Sequence, residues 1–184
     1  PYDLQGQLTA RVRPPEPLTL IASRWEFQDA NWFPDFAAAA EKIRWFWSRA
    51  GQPTVDGVIA VTAPVVIELL KVTGPIEMPD YGKTITAENF MLETQKAVEL
   101  EYDLEENKPK KFIGDLMPKL LDRLKEADRD AWLELAGVLI EALERKDIQI
   151  SLANEEEEAR VQALDWSGRL KNAPGDSLAV IGAN

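Results

Sequence analysis

The chain contains no cysteine and no histidine. Without a thiol there is no disulfide, no thiolate nucleophile, no iron–sulfur cluster and no cysteine-based zinc site. Without an imidazole there is no serine–histidine–aspartate chemistry, no histidine-ligated zinc and no ordinary neutral-pH proton shuttle. Any catalysis within these 184 residues would run on carboxylates, Lys, Tyr or Arg, with a hard cation held on oxygen ligands. Nowhere is there a run of about 18 apolar residues, the length that suggests a membrane span, and no signal peptide is visible. Positive charge is also short: 21 Lys and Arg stand against 32 Asp and Glu, a net charge of −11. That balance excludes nucleic acid as an expected partner, and it disfavours docking on anionic lipid.

What is present is a globular chain. Hydrophobic residues make up 45% and there are six Trp, enough for a real core in a single domain of this length. The most apolar stretch runs from Thr54 to Gly74 and changes period halfway. Val58 to Val61 is an unbroken run of β-formers, which predicts a strand buried on both faces. Thr62 suits a helix cap and Pro64 a first helical turn, and Gly74-Pro75 ends the helix that follows.

Elsewhere the period alternates between strand and helix. Gln7 to Arg13 alternates apolar and polar residues, predicting a half-buried strand, and Leu18 to Ala22 suggests another. An aromatic loop from Arg24 leads into a helix over about Asp35 to Ala50, with Phe36, Ala39, Ala40, Ile43, Phe46 and Trp47 as its buried stripe. Trp45 falls on the opposite, polar face beside Glu41, Lys42 and Arg49, where an indole suits either packing under another element or a partner surface. Ile76–Met78 and Lys83–Ile85 flank Pro79-Asp80-Tyr81-Gly82 as a hairpin. Thr86-Ala-Glu-Asn89 opens a third helix to about Tyr102, with a polar connector over residues 103–108.

Two strongly patterned helices follow. One carries Phe112, Ile113, Leu116, Met117, Leu120, Leu121 and Leu124, with Pro118 expected to kink it. The other carries Trp132, Leu135, Ala136, Leu139, Ala142 and Leu143. Their short connection predicts an antiparallel pair. Ile148 to Leu152 is a further strand, Asn154 with Glu157 matches a capping box, and Leu178 to Ile181 is expected as a last buried strand. The fold class expected is therefore α/β: a mixed β-sheet flanked by helices on both faces, with an antiparallel helix pair in the second half, in one domain over residues 1–184.

Candidate chemistry is sparse. The strand-to-helix junction Val61-Thr62-Ala63-Pro64 is where open α/β sheets bind ligands, but it lacks the glycine and Lys of a phosphate loop, and Pro64 removes a donor. No cofactor is expected. The loop Asp29-Ala-Asn31-Trp-Phe-Pro-Asp35 places Asp29, Asn31 and Asp35 within seven positions, and those oxygens suit Mg²⁺ or Ca²⁺. The same residues also serve as turn formers and a helix start. Asp56, just before Gly57, is a further candidate carboxylate or a turn residue.

Several of these segments together resemble a known family. Asp29-Ala-Asn-Trp-Phe-Pro-Asp-Phe36, Val55-Asp-Gly-Val-Ile-Ala60 and Leu69-Leu-Lys-Val-Thr-Gly-Pro-Ile76 carry the resemblance. Thr86-Ala-Glu-Asn89, Lys146-Asp-Ile148, Asp165-Trp-Ser-Gly168 and Gly175-Asp-Ser-Leu178 extend it in order. They resemble an uncharacterised bacterial family, domain of unknown function 4012, itself distantly similar to LytR–CpsA–Psr wall-polymer transferases. The resemblance implies an extracytoplasmic domain attached to the bacterial cell membrane through a segment absent from this chain, which would be a piece of a longer protein. It also implies a cell-envelope function. Two readings follow: a non-catalytic domain binding a surface glycopolymer or a protein partner, or a Mg-dependent transferase or hydrolase acting on a lipid-linked polymer. The Arg-Asp signatures of those transferases are not found here, so no residue inherits a catalytic role.

Overall fold

A computed structural model of the chain describes residues 8, 10–100, 110–171 and 175. Six α-helices and four strands occur among them, in the order α1 (Phe36–Arg49), β1 (Gly57–Val61), α2 (Ala63–Thr73), β2 (Ile76–Met78), β3 (Lys83–Ile85), α3 (Phe90–Glu99), α4 (Lys111–Lys125), α5 (Arg129–Glu144), β4 (Ile148–Leu152) and α6 (Glu155–Ala163). The α/β class holds. The sheet, however, is two separate two-stranded ribbons among the described residues, β1 with β4 and β2 with β3. The chain divides into two compact units, one built from the residues up to Ile59 and from Gln149 onward, the other from Ala60–Ile148.

In the first unit, α1 starts where Asp35 Oδ1 accepts from the Ala38 N–H at 3.0 Å, a side-chain N-cap. Asp35 Oδ2 meanwhile accepts from the Leu170 N–H at 3.0 Å, so one carboxylate fixes both the helix start and a distant loop. Phe36, Ala39, Ala40 and Phe46 are buried, as the helical period predicts. Trp47 is half-buried, its indole N–H donating to the Pro53 carbonyl at 2.7 Å.

Two expected strands are not strands. Leu18 to Ala22 falls largely within a 3-10 turn over Glu16–Leu20: Leu18 is buried, while Leu20 and Ile21 are 87% and 86% exposed. Pro15 and Pro17 explain the difference, since their fixed φ suits a tight turn and neither offers a ladder N–H. Of Gln7 to Arg13, Gln7 and Thr9 lie outside the described residues, and Ala10–Arg13 is irregular. Among the described residues no partner strand runs beside it, and its backbone tie there is the Val12 carbonyl accepting from the Trp25 N–H at 2.9 Å.

β4 runs antiparallel to β1. In the first unit the Ala153 N–H donates to the Asp56 carbonyl, and in the second the Thr62 N–H donates to the Asp147 carbonyl, so rising numbers meet falling ones. β1 is not buried on both faces as expected. Ile59 is 63% and Val61 47% exposed, because β1 has only one strand neighbour among the described residues. α6 opens on Asn154, whose Oδ1 accepts from the Glu156 and Glu157 N–H groups. The return half of the expected capping box comes one residue later than predicted and reaches further back: Glu158 Oε2 accepts from the Leu152 N–H. Gly168 sits at φ +60°, where an added Cβ would meet the Gln149 side chain at 2.4 Å and Phe36 Cβ at 2.9 Å. That close approach leaves room for glycine alone.

The second unit is helical around one hairpin. β2 and β3 pair antiparallel with Ile76 opposite Ile85 and Met78 opposite Lys83, all but Lys83 buried. Gly82 closes the turn in the left-handed conformation. α2 buries Val65, Val66, Leu69 and Leu70 and packs against both α4 and α5. Thr62 precedes α2 but makes no side-chain cap; its Oγ1 donates to Asp147 Oδ1 at 3.1 Å instead. α3 begins at Phe90, behind a turn in which Asn89 Oδ1 accepts from the Thr86 N–H.

α4 runs unbroken across Pro118, and Phe112, Leu116 and Leu120 form its buried stripe. Leu121, expected with them, is half exposed. On α5, Leu135, Ala142 and Leu143 are buried, but Trp132 and Ala136 face outward. Each of α4 and α5 lies on α2, and that shared support, more than their own short connection, decides which face is inside. The connector over residues 103–108, Tyr102 and the expected strand over Leu178–Ile181 lie outside the described residues.

Candidate functional site

The acidic loop does not converge on one point. Asn31 is exposed at a turn, and Asp35 spends both carboxylate oxygens on the Ala38 and Leu170 backbone. Asp56 is exposed beside β1, engaged through its backbone carbonyl. Asp29 ends a 3-10 turn over Phe27–Asp29, and its carbonyl accepts from the Trp25 indole N–H at 2.9 Å. Burial, then the nearby Glu26 carboxylate, raise the Asp29 pKa above the usual aspartate value. Glu26 pairs through Oε1 with Arg24, while its Oε2 and the neighbouring Gln28 Oε1 are buried with no hydrogen-bond partner among the described residues. No group of three or more carboxylates that could hold a metal ion occurs among the described residues.

The denser constellation is aromatic. Trp25 and Phe46 are buried at the heart of the first unit's core with Leu8, Leu18 and Ala30. Trp25 meets Phe46 edge to face at 5.4 Å between centroids, and Phe33 at 5.9 Å. Trp45 meets Phe46 in the same way at 5.0 Å but keeps part of its ring at the surface. Lys42 Nζ lies 5.5 Å from the Trp45 ring centroid and 5.4 Å from that of Trp25, and the Arg49 guanidinium lies 5.6 Å from Trp45. Helical spacing produces this group: Lys42, Trp45 and Arg49 stand three and four residues apart on α1. The result is a half-buried indole packed edge to face on the core with two cations over its ring.

Sequence period marked Trp45 as lying on the polar face of α1, with Lys42 and Arg49 beside it. It did not reveal that Trp25 shares the same Lys42, because that contact joins the loop to the helix across 17 positions. Shallow hollows also occur among the described residues, one of about 270 Å³ beside Thr73, Arg123 and Asp128. A hollow of about 250 Å³ is lined by Ile76, Glu77, Lys119, Asp122, Arg123 and Glu126, whose charges alternate in sign and select no ligand.

No helix among the described residues is long and apolar enough to cross a membrane. No curated protein and no solved structure matches the chain. Residues 4–98, just over half of the sequence, match the family described as "Protein of unknown function (DUF4012)", and the chain belongs to that family.

Proposed function

We propose that this chain is an extracytoplasmic cell-envelope domain that binds a surface glycopolymer or a protein partner without catalysis. It would be attached to the bacterial cell membrane through a segment outside the chain. The observation that carries this reading is the Trp45 surface of α1, with Lys42 and Arg49 at its ring. A flat indole stacks on the C–H face of a sugar ring or on an apolar side chain, and the two cations suit anionic groups along a polymer. Family membership is compatible with the reading, and the envelope setting is what the resemblance to that family implies. Pull-down of isolated envelope glycopolymer, and separately of envelope proteins, with the intact ectodomain tests it. Retention that Trp45→Ala abolishes is expected; retention of neither class would overturn it.

One observation favours a second reading, a Mg-dependent transferase or hydrolase acting on a lipid-linked polymer. Glu26 and Asp29 lie within electrostatic reach of each other, beside the unpartnered oxygens of Glu26 and Gln28. Alanine at Glu26, Asp29, Asp35 and Asp56 in turn, with polymer attachment and the unfolding midpoint as readouts, decides this reading; unchanged attachment in all four ends it.

A further inference from the structure

α5 is apolar on two opposite faces, and only one of them is used within its unit. Leu135 and Ala142 are buried on the side where α5 packs on α2. On the other side Leu133 is 68% and Ile140 51% exposed, with exposed Ala136 and Gly137 between them. At about 100° per residue, Leu133 and Ile140 fall on one line along the helix, with Ala136 and Gly137 on either side of it. Glu134 and Glu141 lie between the two faces, so the second face is a separate apolar stripe that packing on α2 leaves uncovered among the described residues. Gly137 adds an independent sign, because glycine inside a helix costs about 1 kcal/mol relative to alanine. A Cβ there would meet nothing within 4 Å, so no neighbour within the chain requires the glycine. It leaves room for a backbone approaching from outside.

The ends of the stripe identify what approaches. Arg129 lies on the same line one turn before Leu133, and Glu144 one turn after Ile140. Both are exposed, and neither has an ion-pair partner among the described residues. We propose that this face binds the same face of a second copy of the chain, with the two α5 helices antiparallel about a twofold axis at Ala136–Gly137. That axis sets Leu133 against Ile140 of the partner copy, and Ile140 against Leu133. It sets Arg129 against the opposing Glu144 at both ends, about 22 Å apart along the helix. The small residues fall at the crossing point, where backbones come closest. A parallel arrangement would bring Arg129 onto Arg129 and Glu144 onto Glu144. One helix face is a small interface, so the dimer should be weak and reversible.

The test is sedimentation equilibrium of the intact chain from about 5 to about 500 μM, a range suited to a small interface. It compares the parent with Arg129→Glu, Glu144→Arg, the double swap and Gly137→Leu. A monomer–dimer equilibrium is expected, with dissociation constants at least about tenfold higher in each single charge variant and in Gly137→Leu. The double swap should return to within about threefold of the parent, because opposite charges again face each other. Glu at the start of α5 and Arg at its end both suit the helix dipole, so loss of dimer in the single charge variants is not loss of fold. A monomer throughout the range would overturn the proposal. So would a dimer indifferent to the charge variants, or a double swap as weak as the singles.

Discussion

At the scale of single residues, Asp35 has the largest structural share of any carboxylate in the acidic loop. It caps α1 and holds the Leu170 backbone, so Asp35→Ala removes an N-cap and strands a second donor. The cost should be about 1–2 kcal/mol, read as a lower urea midpoint with unchanged slope. Gly168→Ala should cost roughly 2 kcal/mol or more in the same experiment, since it adds a left-handed penalty to contact with Phe36. Two carboxylates give opposite pH signatures. The hydrogen bond from Arg145, then that from Thr62, hold the Asp147 pKa below the usual aspartate value near 3.9. Its contribution is complete above that value and is lost as pH falls through the lower, folded-state pKa. Asp29 is raised, so it contributes stability at acidic pH that disappears as pH climbs from about 3.9 through its folded-state pKa. Carboxyl NMR titration should find Asp147 below and Asp29 above the ordinary value. Arg145→Gln should move Asp147 upward and leave Asp29 unchanged; coincident titration of the two would contradict this assignment.

At the scale of elements, the helices and the four strands among the described residues were legible, and the misses were expected strands that found no partner. Caps at Asp35 and Asn154, and the apolar stripes of α1 and α4, could be read directly because a helix satisfies its backbone locally. A strand depends on a partner elsewhere in the chain. Leu18 to Ala22 had the composition of a strand, and two flanking prolines turned it into a 3-10 turn. Val58 to Val61 did form a strand, but its apolar pattern suggested neighbours on both sides and it has one. β4 and the β2–β3 hairpin kept their expected bounds, and in the hairpin a four-residue turn fixes the register: Ile76 meets Ile85, and the Thr84 hydroxyl donates to Glu77 on the solvent face. The aromatic site was legible only in part for the same reason, Trp45 belonging to a helix period and Trp25 reaching Lys42 through tertiary packing. Pro118 offers a clean element-scale test. It is exposed within α4 and removes one helical hydrogen bond, so Pro118→Ala should stabilise the chain by about 1–3 kcal/mol in thermal or urea unfolding.

At the scale of the whole molecule, a chain of net charge −11 gathers two cations on the Trp45 indole. The acidic surroundings repel polyanions in general, so recognition of one would depend on that local patch and weaken with salt. Charge also argues for weak, selective contact over non-specific adhesion. The most direct measurement is the affinity of isolated, fluorescently labelled envelope glycopolymer for the intact chain, and of any envelope protein recovered with it. The parent is compared with Trp45→Ala and with Lys42→Glu combined with Arg49→Glu. Saturable binding by the parent and a loss of at least about tenfold in both variants, with unfolding midpoints retained, is the predicted result. Binding that both variants leave unchanged, or no binding of either class of partner, would contradict it.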